Sequence, residues 1–179
     1  MNKLQMVYYG DPLLRKRAEE LPAVTDEIRS LLDAMLQKMD ESNGIGLAAP
    51  QIGSPIRLFI LRNHHIDEED KMHLTDPQCY INPKITLLET ELVFAEEGCL
   101  SIPGIREEVG RPLHLKIEAL DRDGNLFVEE VKGYKARVIL HENDHLNGVL
   151  FIDRVEPDLR QALQVRLRAL KQKFAPKSF

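Results

Sequence analysis

Only two cysteines, Cys79 and Cys99, occur among the 179 residues. Two thiols cannot build a disulfide framework, so the fold must rest on its core, and a thiolate stays free for chemistry or for a metal. The chain also lacks any apolar run approaching the roughly 20 residues that a membrane-spanning helix needs. Its start, Met1-Asn2-Lys3-Leu4-Gln5-Met6, has neither a secretory apolar region nor the Arg- and Ser-rich character of a transit peptide. These absences point to a cytoplasmic protein. No internal repeat and no low-complexity segment is present.

A hydrophobic content of 43% with 30% charged residues suits one globular domain spanning residues 1–179, with a sizeable core. The net charge of -5 is unevenly placed. Residues 157–179 carry six basic residues (Arg160, Arg166, Arg168, Lys171, Lys173, Lys177) against Asp158 alone, a net +5, which leaves the remainder at -10. Such a tail suits docking to something anionic, and a solvated helix face with a frayed end explains it at least as well.

Apolar spacing predicts a helix over 25–43, with Thr25 as cap, Asp26 and Glu27 in the first turn, and Asn43-Gly44 as stop. Short strands are expected at 57–61 and 79–88, the second interrupted by Pro83. A hairpin is expected from 113 to 131 around the turn 121–124. A second helix is expected over 134–147, stopped by Gly148, and a third from Pro157, with Leu159, Leu163, Leu167 and Leu170 as its apolar stripe. Residues 62–77 read as a long surface loop whose His64, His65 and His73 are solvated rather than ligands.

The second helix carries His141-Glu142-Asn143-Asp144-His145. Residues i and i+4 share one helix face, so both imidazoles can reach one cation while Glu142 flanks a water bound to it. An ordinary solvated face would give the same five residues, and a catalytic site of this kind needs a third ligand. One long protease signature takes a histidine three residues after a glycine. Gly148 fits that pattern, but position 151 is Phe, and Glu156 lies too close in sequence to serve. Upstream, Cys99 sits in Glu97-Gly98-Cys99-Leu100-Ser101, where a thiolate can complete a Cys/His/His set; a buried inert thiol is the alternative. A third segment, residues 44–53, combines small residues with Gln51. Its backbone can meet a peptide and the Gln51 amide can meet a developing oxyanion, or the segment is merely a tight connection.

Taken together and in order, G-x-G-x-A-A-P-Q at 44–51, E-G-C-L-S at 97–101 and H-E-x-D-H at 141–145 resemble the three signature motifs of peptide deformylases. These enzymes remove formyl from the N-terminal methionine of nascent chains. The resemblance continues through 120–124 and 146–153 and covers most of the chain. It implies that Cys99, His141 and His145 bind the metal, Fe2+ natively with Zn2+, Ni2+ or Co2+ able to replace it. It further implies Glu142 as general base and then acid, and Gln51 with the Leu100 backbone N–H as oxyanion donors. Ile45 and Gly46 would line the peptide cleft, with Arg106 near its mouth. The implied substrates are N-formylmethionyl peptides, and the implied partner of the basic C-terminal helix is the ribosome; no membrane and no sequence-specific nucleic acid is expected.

Leu140 departs from the pattern, standing where many members have Gln. About 100° around the helix from His141, it is expected to alter neighbouring packing or hydrogen bonding more than metal binding. Arg111 and Asp144 are expected to form an ion pair that steadies the helix. The nearest rival is a metallopeptidase, and the rival of another class is a non-catalytic relative that binds peptides or ribosomes, against which the intact Glu142 argues. The expected fold is α+β, with antiparallel strands around a central metal-bearing helix and a C-terminal helix packed outside.

Overall fold

The computed structural model describes residues 4–62, 64–66 and 72–174. Helix α1 (Asp26–Glu41) follows the predicted stripe, burying Leu32, Met35 and Met39. Thr25 stands at its N-cap without capping a backbone N–H through its side chain. The stop is as the residues suggest: Asn43 takes a positive φ of 52°, and the Gly44 N–H returns to the Met39 carbonyl at 2.9 Å.

Among the described residues nine strands follow: β1 (Gly46–Ala48), β2 (Leu58–Leu61), β3 (His64–Ile66), β4 (Met72–Leu74), β5 (Gln78–Leu87), β6 (Val93–Cys99), β7 (Ile102–Arg111), β8 (His114–Leu120) and β9 (Leu126–Lys132). Every strand pairing is antiparallel. Strands β1-β2-β5-β8-β9 form one five-stranded sheet, β6 pairs with β7, and β3 pairs with β4. Thus the segment expected to be a long loop contains a small ladder, because its ends return on each other between β2 and β5. The side chains of His64, His65 and His73 lie outside the described ones. Pro83 removes a donor from β5, where the register shifts between Ile81 and Lys84.

Around β1 and β2 the large sheet is covered on both faces, which explains why β2 reads as a continuous apolar run. Alternate residues point to opposite sides. Leu47, Leu58, Ile60 and Ile81 meet Leu32, Met35 and Met39 of α1. On the other face Ala48, Phe59, Leu61, Tyr80 and Ile117 meet Ala136, Ile139 and Leu146 of α2 (Tyr134–Leu146). Each large apolar side chain buried in this way contributes about 1.5–3 kcal/mol before entropy is counted.

Beyond α2 the chain forms α3 (Pro157–Ala162) and α4 (Gln164–Phe174) in place of one continuous helix. Past the break at Leu163 the expected stripe is kept by Leu163, Leu167 and Leu170, which face one cluster. Leu163 and Leu167 are buried against Ile102, Ile105 and Val109 of β7, whereas Leu159 is 45% exposed. Among the described residues no helix is long and apolar enough to cross a membrane.

Candidate active site

Helix α2 buries nine of its thirteen residues, among them His141, Glu142, Asp144 and His145. It ends at a turn where Gly148 has φ 71° and any Cβ would lie 2.5 Å from the Arg15 carbonyl oxygen. A helix enclosed this far can fix polar side chains at a buried point. The hairpin β6–β7 brings Cys99 to the same point, with Leu100 and Ser101 at its turn.

Cys99 Sγ and ring nitrogens of His141 and His145 lie within 4.8 Å of one another. Cys99 Sγ is 3.3 Å from His145 Nε2. His141 Nδ1 is 3.0 Å from Glu97 Oε2; a carboxylate only accepts, so Nδ1 carries a proton and Nε2 is the nitrogen left for a cation, which would take the place of any proton there. Burial, reinforced by the charge of His141, pushes the His145 pKa well below the ordinary value and keeps this ring neutral. Burial acts the same way on His141, but the Cys99 thiol and the Glu97 carboxylate outweigh it and raise its pKa to about 10. A buried point between those groups therefore attracts positive charge, as a cation site must.

Glu142 stands beside this group with its Oε2 buried and, among the described residues, without a hydrogen-bond partner. Burial pushes its carboxyl up to about 7, against the pull of His141 and Arg111. That is the range in which a carboxylate can both take and return a proton near neutral pH. The close approach of β1 demands glycine: a Cβ on Gly46 would lie 2.4 Å from Glu142 Oε1. The Gln51 amide is oriented from both ends. Its Oε1 accepts from the Ala48 N–H at 2.8 Å, while Nε2 donates to Cys99 Sγ at 3.4 Å and to Ser101 Oγ at 3.2 Å.

Ile45, Gly46, Gln51, Cys99, Leu100, Arg106, His141 and Glu142 all line one cavity of about 450 Å³. His145 lies behind them and is not part of the lining. Arg106 sits at the rim, 63% exposed, with its Nε donating to Glu96 Oε1 at 2.5 Å. Leu140 is outside the cavity and packs against the sheet-side core. Arg111 does pair with Asp144, at 2.9 Å, and Asp144 also receives Arg154 at 2.7 Å.

Sequence reasoning gave Glu97 and Arg137 no role, yet they tie the hairpin to the helix. Glu97 accepts from Arg111 Nε at 2.7 Å and from Arg137 Nη1 at 2.9 Å, while Arg137 also donates to the Val109 and Val93 carbonyls. The signal was available for Glu97, which opens the E-G-C-L-S motif. Arg137 carries none, because its partners are distant in sequence.

A family model for polypeptide deformylases matches residues 3–161. The chain belongs to the polypeptide deformylase family. Deformylases are metal-dependent hydrolases that remove formyl from the N-terminal formylmethionine of nascent polypeptides and release formate. The peptide deformylase of Saccharophagus degradans is 41% identical over 167 residues, covering 93% of each chain. Among solved structures, the deformylase of Synechococcus elongatus in complex with actinonin is 38% identical with a TM-score of 0.79, covering 97% of this chain and 86% of that one. The Plasmodium falciparum deformylase is 34% identical with a TM-score of 0.87, covering 98% of this chain and all of that one. The α+β architecture with antiparallel sheets around a buried helix is thus the deformylase architecture.

Proposed function

We propose that residues 1–179 work as one catalytic unit in the bacterial cytoplasm, cleaving formyl from N-formylmethionyl peptides in the cavity beside α2. The observation that carries this reading is the convergence of Cys99, His141 and His145 beside the Glu142 carboxylate, whose buried Oε2 has no partner among the described residues. One thiolate and two imidazoles facing an open side suit Fe2+, and equally Zn2+, Ni2+ or Co2+. Family resemblance favours Fe2+ as the native ion.

When bound, such a cation supplies Lewis acidity that makes water a nucleophile near neutral pH. The Glu142 carboxylate would take a proton from the attacking water and return it to the leaving amine. The Gln51 amide, releasing one of its present acceptors, donates with the Leu100 N–H to the oxygen of the tetrahedral intermediate. Glu97 holds the His141 ring, and the Arg111–Asp144 pair steadies the helix behind it. Ile45 and Gly46 present the cleft wall, where an extended peptide can bond through its backbone, and Arg106 guards the mouth.

Formate release from formyl-Met-Ala-Ser, assayed anaerobically with metal analysis of the same sample, tests this reading. Turnover should track bound metal, and actinonin, bound in the S. elongatus structure, should compete. Metal-replete protein that releases no formate would sink the proposal.

For the basic C-terminal segment we propose ribosome docking. Arg160 is engaged with Asp153 and Arg166 with the Gly104 carbonyl, whereas Arg168, Lys171 and Lys173 are exposed. Reversing Arg168 and Lys171 to Glu should weaken ribosome cosedimentation most at low salt. Unchanged sedimentation would reduce the segment to packing.

A further inference from the structure

The two histidines are held in unequal ways. Glu97 steers the outer nitrogen of His141, but His145 Nδ1 is buried and has no hydrogen-bond partner among the described residues. A ligand histidine is ordinarily oriented by an acceptor on its second nitrogen. For His145 the backbone that carries it can supply that constraint. The backbone there has an unusual partner.

Arg57, at the entry to β2, is 8% exposed, and the hydrogen-bond acceptors found for it are neutral ones. Its Nη1 donates to the Leu146 carbonyl at 3.3 Å and to Asn147 Oδ1 at 3.0 Å. Its Nη2 donates to Asn143 Oδ1 at 3.3 Å and reaches the Pro83 carbonyl at 3.5 Å. One guanidinium therefore grips the end of α2 and its cap at three residues that flank His145, namely Asn143, Leu146 and Asn147. The arginine is itself anchored, because its N–H donates to the Glu19 carbonyl at 2.7 Å and its carbonyl accepts from the Asn82 N–H at 2.8 Å. A buried positive charge at a helix C-terminus also satisfies carbonyls that have no partner within the helix.

We propose that Arg57 is a positioning residue for the metal site, fixing the depth and rotation of the His145 ring through Leu146, Asn143 and Asn147. It lies outside the three signature motifs and outside the cavity, and touches neither substrate nor reacting atoms. The same contacts give the middle residue of H-E-N-D-H a task. Asn143 faces away from the metal donors and receives the clamp. The inference rests on Cys99, His141 and His145 being the metal ligands.

The test uses the Co2+-loaded enzyme and three variants: Arg57→Lys, which keeps the charge but loses the fork; Arg57→Met, which loses both; and Asn143→Leu. A core truncation on α1, Leu32→Ala, serves as a control for general destabilisation. Chelator competition measures metal dissociation, and the visible d–d spectrum reports ligand geometry. Arg57→Met is expected to release Co2+ about tenfold faster with a changed spectrum. Arg57→Lys should fall between it and the wild type. Asn143→Leu should give a smaller change that is not additive with Arg57→Met. The Leu32→Ala control should move neither readout. In turnover, kcat should fall while KM stays constant. If Arg57→Lys and Asn143→Leu both keep the wild-type spectrum and dissociation rate, the clamp is structural only and the inference is overturned, as it is if the control moves these readouts equally. A wild-type protein that takes up no Co2+ would instead overturn the ligand assignment on which it rests.

Discussion

The site joins two elements of opposite character. Helix α2 buries nine of thirteen residues and is held by the sheet through Ala136, Ile139 and Leu146. Strand β6 exposes its first four residues and buries only Glu97. The hairpin end of the site is thus attached to the helix largely by charge: one buried carboxylate shared among Arg111, Arg137 and His141. Apolar packing gives α2 a fixed depth without directional demands. The polar tie is directional and orients Cys99 against two rings, but it is unforgiving, since removing one partner of such a network strands the others without water.

Four substitutions sharpen this contrast. The largest effect on turnover belongs to the helix: Glu142→Ala should lower kcat roughly 10³-fold while retaining stoichiometric metal. Near-normal formate release would end its assignment as base. On the hairpin side Cys99→Ala should do the reverse and lose the metal itself. Full metal occupancy in that variant, measured by elemental analysis, would exclude the thiolate as a ligand.

Glu97→Gln tests the tie between the two elements. Burial raises the Glu97 carboxyl, but the bonds from His141 and Arg111 prevail and bring it down to about 2. A carboxylate whose pKa falls on folding stabilises the fold above its ordinary value of 4.5 and loses that contribution as pH falls from there towards 2. Urea midpoints measured across this window should therefore drop steeply for the wild type and more gently for Glu97→Gln. Metal affinity in the variant should weaken by about 10–100-fold. Parallel acid profiles would show that the hairpin does not depend on this charge.

The smallest effect is expected at the exposed end of the same hairpin. Arg106 and Glu96 are each 63% exposed, so breaking their pair with Arg106→Ala should change stability by less than about 1 kcal/mol. A larger loss would mean that the rim, too, is held electrostatically.

Legibility in the sequence follows the same division. Helix α1 and strand β8 declared themselves through spacing, because each buries one side against a core, while α2, enclosed over most of its surface, was marked by its stop at Gly148 and β9 by the turn before it. Strand β6 was missed: its residues from Val93 to Glu96 are all exposed, so burial imposed no alternation on them. Strand β1 is only three residues long and wholly buried, too short for a period to show. The C-terminal stripe was read through the break at Leu163, which nothing in its leucine spacing marks.

For the site itself, the sequence by itself determined the chemical parts: two imidazoles one helical turn apart, a carboxylate beside the first, and a thiol and an amide in separate small-residue segments. Local spacing suffices for that, because i and i+4 must share a helix face. Only the tertiary structure decided which groups hold those parts still. Glu97, Arg137 and Arg57 reach their partners across 44, 40 and 86 positions, respectively, for the contacts with His141, Glu97 and Asn143. Hydrogen bonds over such separations depend on how hairpin, sheet and helix are docked, and no local pattern encodes that.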